Sequence, residues 1–306
     1  MVSLSAYVLA GDPWWLEASV RSYYHLVDRI VVSYDQDHLS WTGTPLPVPE
    51  CLDLIAALDV DDKCVYQPGH YARLDHHPLD NDTFQRQCAL DAAGEDADWV
   101  IQLDTDEVLQ RPDVFAGCVR DADEHAADGV EFPARWLYNT AGPSRFTRFV
   151  GRPDRPWFLE RCRRFWGISA TFPGPVAVRP GTQLTVARQG AAELFRVDYR
   201  AHNTDTHHPA DAPVHRVIGA DEGILHFSWV RDAAYMARKT GWSGHTTEYA
   251  EPRRIRNWRL RAKAPLATEA AVLWANRDER YRLVQLEVDA YVGARERVLL
   301  NGSTLS

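Results

Sequence analysis

The stretch Asp98-Trp99-Val100-Ile101-Gln102-Leu103-Asp104-Thr105-Asp106-Glu107 constrains the fold more than any other. Four of the five residues from Trp99 to Leu103 are apolar, and the run stops abruptly at three acids. A short apolar run bounded in this way reads as a parallel strand buried on both faces. Carboxylates at the mouth of such a strand do not serve stability, so they mark an active edge. On an extended segment Asp104 and Asp106 point the same way and can converge on one hard cation, Mg²⁺ or Mn²⁺, together with phosphate oxygens. The D-x-D spacing is weak evidence by itself. It occurs six times, at Asp35/Asp37, Asp59/Asp61, Asp80/Asp82, Asp96/Asp98, Asp104/Asp106 and Asp121/Asp123. Only the Asp104 copy directly follows an unbroken apolar strand, and its competing explanation is an acidic loop that caps the next helix.

The preceding residues supply a frame for that strand. Val2 to Ala10 predicts a strand that runs into Gly11-Asp12-Pro13. Trp14 to Leu26 carries apolar residues at helical spacing, with Asp12 or Pro13 suited to its start. Arg29 to Tyr34 predicts a second strand ending at Asp35. This βαβ unit makes its two strands parallel. Glu50 to Leu58 reads as a helix and Cys64 to Gln67 as a third strand. Asn81 or Asp82 can cap a helix from Thr83 to Ala93, with Phe84, Cys88, Ala89 and Ala92 on one face. Beyond the acids, Pro112 to Ala127 reads as a helix and Gly129 to Pro133 as a strand. Alternating β and α elements with acids at strand ends predict an open α/β sheet whose ligands bind beyond the carboxyl ends of its strands.

With 306 residues, 45% of them hydrophobic, the chain can bury a large core. A net charge of −9 and a pI near 5.7 argue against nucleic acid or an anionic membrane as partner. An anionic substrate therefore needs a local cation. The five cysteines, Cys51, Cys64, Cys88, Cys118 and Cys162, are odd in number, widely spaced and free of C-x-x-C pairs. This predicts a reduced cytoplasmic protein. No signal peptide or transmembrane segment is expected.

The second half is less regular. Arg135 to Arg164 is rich in arginine, aromatics and proline, suited either to a substrate wall or to packing. Phe165 to Arg200 reads as β-rich. Residues 201–222 form a polar stretch with His202, His207, His208 and His215, without the spacing of a zinc site. Ile224-Leu225-His226-Phe227-Ser228-Trp229 sets one histidine in an apolar strand directly before a helix from Asp232 to Lys239. That imidazole either completes a coordination shell or is satisfied by a backbone carbonyl. Helical patterns recur at Ala267 to Ala275 and Arg280 to Val292.

Together, the opening strand-helix-strand ending at Asp35, the helix with Arg86-Gln87, the block Ala97 to Glu107, and Leu225-His226-Phe227 with downstream Lys239 resemble a GT-A glycosyltransferase of the family 2 type. The resemblance covers about residues 1–245. It implies a Rossmann-like, mostly parallel open sheet, with a nucleotide and metal half at 1–133, an acceptor half at 134–245, and a C-terminal helical extension at 246–306. It further implies that Asp106, aided by Asp104, holds Mn²⁺ or Mg²⁺ on the two phosphates of a nucleotide-sugar, and that His226 completes the metal shell or contacts the diphosphate. Asp35 would face the base and the loop with Asp12 would line the nucleoside pocket. Arg86 would face nucleotide or sugar, and Lys239 would neutralise phosphate.

The implied activity is metal-dependent transfer of a sugar, with a UDP-sugar favoured as donor, to an unknown acceptor hydroxyl. Inversion requires a carboxylate base. The chain has Pro175-Val176-Ala177-Val178 where the family's acidic pair is expected, which leaves Asp198, Asp221 and Glu222 as candidates for the base, the Asp221-Glu222 pair being favoured because it lies just before His226. A non-catalytic nucleotide- or sugar-binding protein of the same fold is the alternative. A nucleotidyltransferase is another, although Gly11-Asp12-Pro13-Trp14 is not a glycine-rich phosphate loop.

Overall fold

The computed structural model describes residues 2–142, 145–148, 174–191, 193–199, 212–219, 221–244, 256, 258–259 and 284–285. The first half alternates as the sequence predicts: β1 (Leu4–Leu9), α1 (Leu16–Tyr23), β2 (Arg29–Asp35), α2 (Val48–Leu58), β3 (Cys64–Gly69), α3 (Pro78–Ala93) and β4 (Trp99–Ile101). After β4 come β5 (Glu107–Leu109), α4 (Pro112–Glu124), β6 (Gly129–Glu131), β7 (Ala134–Gly142), β8 (Arg145–Arg148), β9 (Pro175–Val178), β10 (Leu194–Tyr199), β11 (Arg216–Ile218), β12 (Ile224–His226), α5 (Ala233–Trp242) and β13 (Val284–Gln285).

Eight strands form one sheet in the order β11-β10-β6-β9-β4-β1-β2-β3. All its pairings are parallel except those of β9, which runs antiparallel to both β4 and β6. This is a Rossmann-like α/β arrangement. The chain winds outward from β1 to β3, then returns to the other side of β1 as β4, so the crevice between the two halves opens at the carboxyl ends of β1 and β4. The strands are buried on both faces: Ile30, Val31, Val32, Trp99, Val100 and Ile101 are each 0% exposed. That double burial explains why their sequences are continuously apolar rather than alternating.

A second sheet, β13-β8-β7-β12-β5, carries the residues beyond the acids. Within it β12 runs antiparallel to β5, with His226 opposite Glu107, and parallel to β7, with His226 opposite Trp136. The turn from β4 to β5 thus joins the two sheets, and Asp104 and Asp106 lie in it. Trp15 of the loop before α1 stacks on Phe227 at 4.2 Å and donates its indole N–H to the Val230 carbonyl, which fixes the chain leaving β12.

Two helices depart from expectation. α3 starts at Pro78, capped by the His77 ring accepting from the Leu79 N–H, so Asn81 and Asp82 lie inside it rather than at its cap. Its buried face is also polar: Asn81, Asp82, Gln85 and Arg86 are buried, while Phe84 is 39% exposed. The apolar spacing misplaced the inner face only in the first turns, which present hydrogen-bonding groups to a pocket; further along, the expected Ala89 is buried with Leu90 and Ala93 in the core. α5 ends at Trp242 rather than Lys239 and is capped by the Asp232 carboxylate.

Phe149, Trp157, Phe158, Cys162, His202, His207 and His208, and the expected helix Ala267 to Ala275, lie outside the described residues; within the expected helix Arg280 to Val292 the two described residues, Val284 and Gln285, instead pair with β8 as strand β13. No helix among the described residues is long and apolar enough to cross a membrane.

Gly223, at the entry to β12, leaves no room for a side chain: a Cβ there would meet the Pro133 carbonyl oxygen at 2.7 Å. Gly223→Ala is expected to lower the free energy of unfolding by about 1–3 kcal/mol, the usual cost of overpacking. Urea titration of wild type and variant checks this.

Candidate functional site

The pocket at the carboxyl ends of β1, β2 and β4 has a volume of about 280 Å³. The loop after β1, the end of β2, α3, the β4–β5 turn, His226 and the end of α5 line it, with Tyr34, Trp41 and Trp136 as its aromatic walls. The indole N–H of Trp41 donates to Gln85 at 2.8 Å, which anchors the loop after β2 on α3.

Six of the residues singled out in the sequence meet at this pocket in two ionic clusters, one around Asp106 that includes Arg231 and one around Asp104. Asp106 is the centre of the first. Its Oδ1 lies 3.1 Å from His226 Nε2, and its Oδ2 accepts from Lys239 Nζ at 2.5 Å and Arg231 Nη2 at 3.0 Å. The same guanidinium donates to Asp12 Oδ2 at 2.7 Å, and Lys239 Nζ stands 3.3 Å from that oxygen. Asp12 Oδ1 accepts from the Tyr235 hydroxyl at 2.6 Å and from the Trp14 N–H. On the other side of the turn, Asp104 Oδ1 accepts from Arg86 Nη2 at 2.7 Å, while Arg86 Nε donates to Asp82 at 2.6 Å.

The charges set the protonation states. Burial would raise the Asp106 carboxyl, but Lys239, His226 and Arg231 outweigh it and hold the group well below the usual carboxylate range. Asp104 is likewise opposed by burial yet lowered to about 2, chiefly by Arg86. Asp12 is lowered by Arg231 and Lys239 against its burial. His226 moves the other way: burial opposes its charge, and Asp106 prevails and raises its pKa.

Asp104 and Asp106 do not converge as the extended reading predicts. They occupy a turn, in which the Glu107 N–H donates to the Asp104 carbonyl, and their carboxylates face different cations. Among the described residues no three His, Cys, Asp or Glu side chains are grouped to hold a metal ion. A dication on Asp106 would share its Oδ2 with an ammonium and a fully buried guanidinium, so the expected Mn²⁺ or Mg²⁺ does not fit the residues as they stand.

Asp35 lines the pocket, but both its oxygens are taken by backbone. Oδ1 accepts from the Asp37 and Leu39 N–H groups and Oδ2 from those of Tyr71 and Ala72. Its work is to shape the two loops at the pocket rim. Asp221 and Glu222 are not brought to the pocket. They sit at the far end of β12 from His226, where the Glu222 carboxylate accepts from the Gly219 N–H. Adjacency in sequence misled here because a strand carries its two ends apart.

The remaining D-x-D pairs serve local structure. Asp59 accepts from the Lys63 and Cys64 N–H groups, Asp98 from Ser3, Asp121 pairs with Arg216, and Asp82 holds Arg86.

Arg231 and Arg188 carry the site and were missed. Arg231 follows His226 by five residues in an otherwise apolar segment, and that lone charge before a helix cap was a usable signal. Arg188 gave none, since it comes from an irregular segment. It makes a two-pronged pair with Glu107, at 2.6 and 2.7 Å, and donates to the Gln102 carbonyl, clamping the β4–β5 turn from below.

No family model and no curated protein matches the chain. Among solved structures it is similar to a 4-diphosphocytidyl-2C-methyl-D-erythritol synthase from Anaerococcus prevotii, at 14% identity over 51% of this chain and 61% of that one, with a TM-score of 0.28. A mannose-6-phosphate isomerase from Helicobacter pylori aligns at 14% identity over 50% and 57%, TM-score 0.29. A mannose-1-phosphate geranyltransferase from Thermus thermophilus aligns at 10% over 53% and 52%, TM-score 0.29. The chain thus spans about three fifths of the length of the first two. With TM-scores this far below 0.5, these likenesses carry no argument about function.

Two outcomes follow from the network. Arg188→Met removes the two-pronged partner of Glu107, 0% exposed, and leaves that buried charge only the Asp104 N–H and the His226 Nδ1 at 3.5 Å. It should lower unfolding free energy by about 3–5 kcal/mol in denaturant titration. Asp12, Asp104 and Asp106 have folded pKa values below their unfolded ones. Their stabilisation is therefore complete above the unfolded carboxylate value of about 4 and is lost as pH falls toward 2. His226, whose folded pKa is raised, adds stability as pH falls through the unfolded imidazole value of about 6.5, so urea midpoints should rise from about pH 7 to pH 5 and fall steeply below about pH 4.

Proposed function

We propose that the chain is a glycosyltransferase of the GT-A, family 2 type, which moves a sugar from a nucleotide-diphosphate sugar, with a UDP-sugar favoured, to an acceptor hydroxyl. The observation that carries this reading is the meeting of Arg86, Lys239 and His226 with Asp104 and Asp106 in one aromatic-walled pocket at the crevice between β1 and β4. The crevice position suits a nucleotide. Tyr34, Trp41 and Trp136 offer flat faces for a base and a sugar. Lys239, at the end of α5, places a cation where a diphosphate would lie.

The chemistry this arrangement favours is departure of the leaving group. As the acceptor oxygen bonds to the sugar's anomeric carbon, the bond from that carbon to the diphosphate oxygen breaks, its electron pair stays on that oxygen where fixed cations stabilise the charge, and the acceptor's hydroxyl proton is taken up by the departing diphosphate. The described carboxylates that line the pocket are poor bases, because Asp12, Asp104 and Asp106 are held low by cations, Asp82 is paired with Arg86, and Asp35 is saturated by N–H donors. Catalysis by leaving-group stabilisation rather than by a strong base is the consequence, and no base is assigned to Asp221 or Glu222.

Incubation with UDP-glucose, UDP-N-acetylglucosamine, GDP-mannose and dTDP-glucose, followed by chromatography of nucleotides, tests the proposal. Slow release of the nucleoside diphosphate from one donor is expected, since water can replace the acceptor. Pyrophosphate release from a nucleoside triphosphate with a sugar 1-phosphate would instead establish a nucleotidyltransferase. Binding of a donor without turnover under any condition would leave a non-catalytic binding protein.

A further inference from the structure

We propose that the site carries its own counter-cation, Lys239 Nζ, and binds the donor's diphosphate without a divalent metal. The inference rests on the nucleotide-sugar reading above and deepens it. It starts from which oxygens are free. Asp106 is the acid that a bridging metal would need most, and it already accepts from three donors: His226 on Oδ1, and Lys239 and Arg231 on Oδ2. Arg231 cannot leave. Its side chain is 0% exposed, and it also binds Asp12 and the Phe227 carbonyl. Asp104, the other acid, is paired with Arg86, which Asp82 holds from behind.

Each of the acids already has a cation within ion-pair distance: Asp12 and Asp106 share Arg231 and Lys239, and Asp104 shares Arg86 with Asp82.

Lys239 is suited to receive a diphosphate. An ammonium has three N–H donors. Asp106 Oδ2 and Asp12 Oδ2 take two, leaving one, and Lys239 lines the pocket with its side chain 15% exposed. Its position is set rather than floppy. The Asp232 cap and the Tyr235–Asp12 hydrogen bond fix α5 near its start, and the Thr42 hydroxyl donates to the Gly241 carbonyl at its end. A cation held in this way acts at the phosphate without the reorganisation that an exposed lysine would need. The two acids of the D-x-D stretch then serve to hold cations, Arg86 and Lys239, instead of a metal.

The test is calorimetric titration of the full chain with UDP, GDP, CDP and dTDP, each in EDTA and in Mn²⁺, with Mn²⁺ alone followed by electron paramagnetic resonance. One diphosphate is expected to bind with affinities in EDTA and Mn²⁺ that agree within about threefold, and Mn²⁺ alone is expected to show no stoichiometric binding. Lys239→Ala should weaken that diphosphate at least tenfold in EDTA and Lys239→Arg should retain most of the affinity, with circular dichroism confirming that both variants fold. Binding that requires Mn²⁺, or an unchanged EDTA affinity in Lys239→Ala, overturns the built-in cation and leaves the transferase reading standing. Failure of every diphosphate under both conditions overturns the transferase reading together with it.

Discussion

The carboxylate of Asp106 is the point on which the site depends. It is 5% exposed, and burying a carboxylate is tolerable only where charge and hydrogen bonds compensate it. Compensation comes from one short stretch, residues 226–239, far along the chain from Asp106. His226 arrives on β12, Arg231 on the turn after it, and Lys239 on the last turn of α5. Asp12, from the loop after β1, shares two of the same cations. One buried charge thus ties the first strand of the large sheet to the last described helix, across more than two hundred positions of sequence. Removing one partner from such a set costs more than its pairwise share, because the remaining charge stays buried.

The parallel sheet was legible because its signal is local. A strand buried on both faces must be apolar throughout, so β1, β2 and β4 announce themselves, and the acids at the end of β4 announce where the sheet opens. The antiparallel strand β9 and the small second sheet were not placed, since their pairing depends on contacts distant in sequence. α3 shows the limit in the other direction. Its periodicity pointed to Phe84, yet Asn81, Asp82, Gln85 and Arg86 face inward, because a helix that borders a polar pocket inverts the usual rule.

For the site itself, residue types were readable and their partners were not. Asp104, Asp106, His226, Lys239, Arg86 and Asp12 stand out from sequence, and the structure gathers them at one pocket. Which atom faces which is set by the short connection, residues 102–106, between β4 and β5, at a scale where an extended segment and a turn give opposite answers. An extended Asp104-Thr105-Asp106 would aim two carboxylates at one ion. The turn, clamped by Arg188 on Glu107 beneath it, aims them at separate guanidinium and ammonium groups.

That difference bears on how such a pocket handles a polyanion. A bound dication is exchangeable: its occupancy depends on the surrounding solution, and it arrives and departs with ligand. A lysine on a capped helix and an arginine fixed by Asp82 are present in every molecule, and their charge is set by the fold. Such preorganised charge in a pocket of low water content is worth more than the same charge in solvent, because nothing has to reorient as negative charge grows on a leaving oxygen. The cost falls on the empty state, in which these cations must be balanced by buried acids. Asp12, Asp104 and Asp106 are that balance, which accounts for their presence at the mouth of an otherwise apolar strand and sheet without assigning them contact with any ligand.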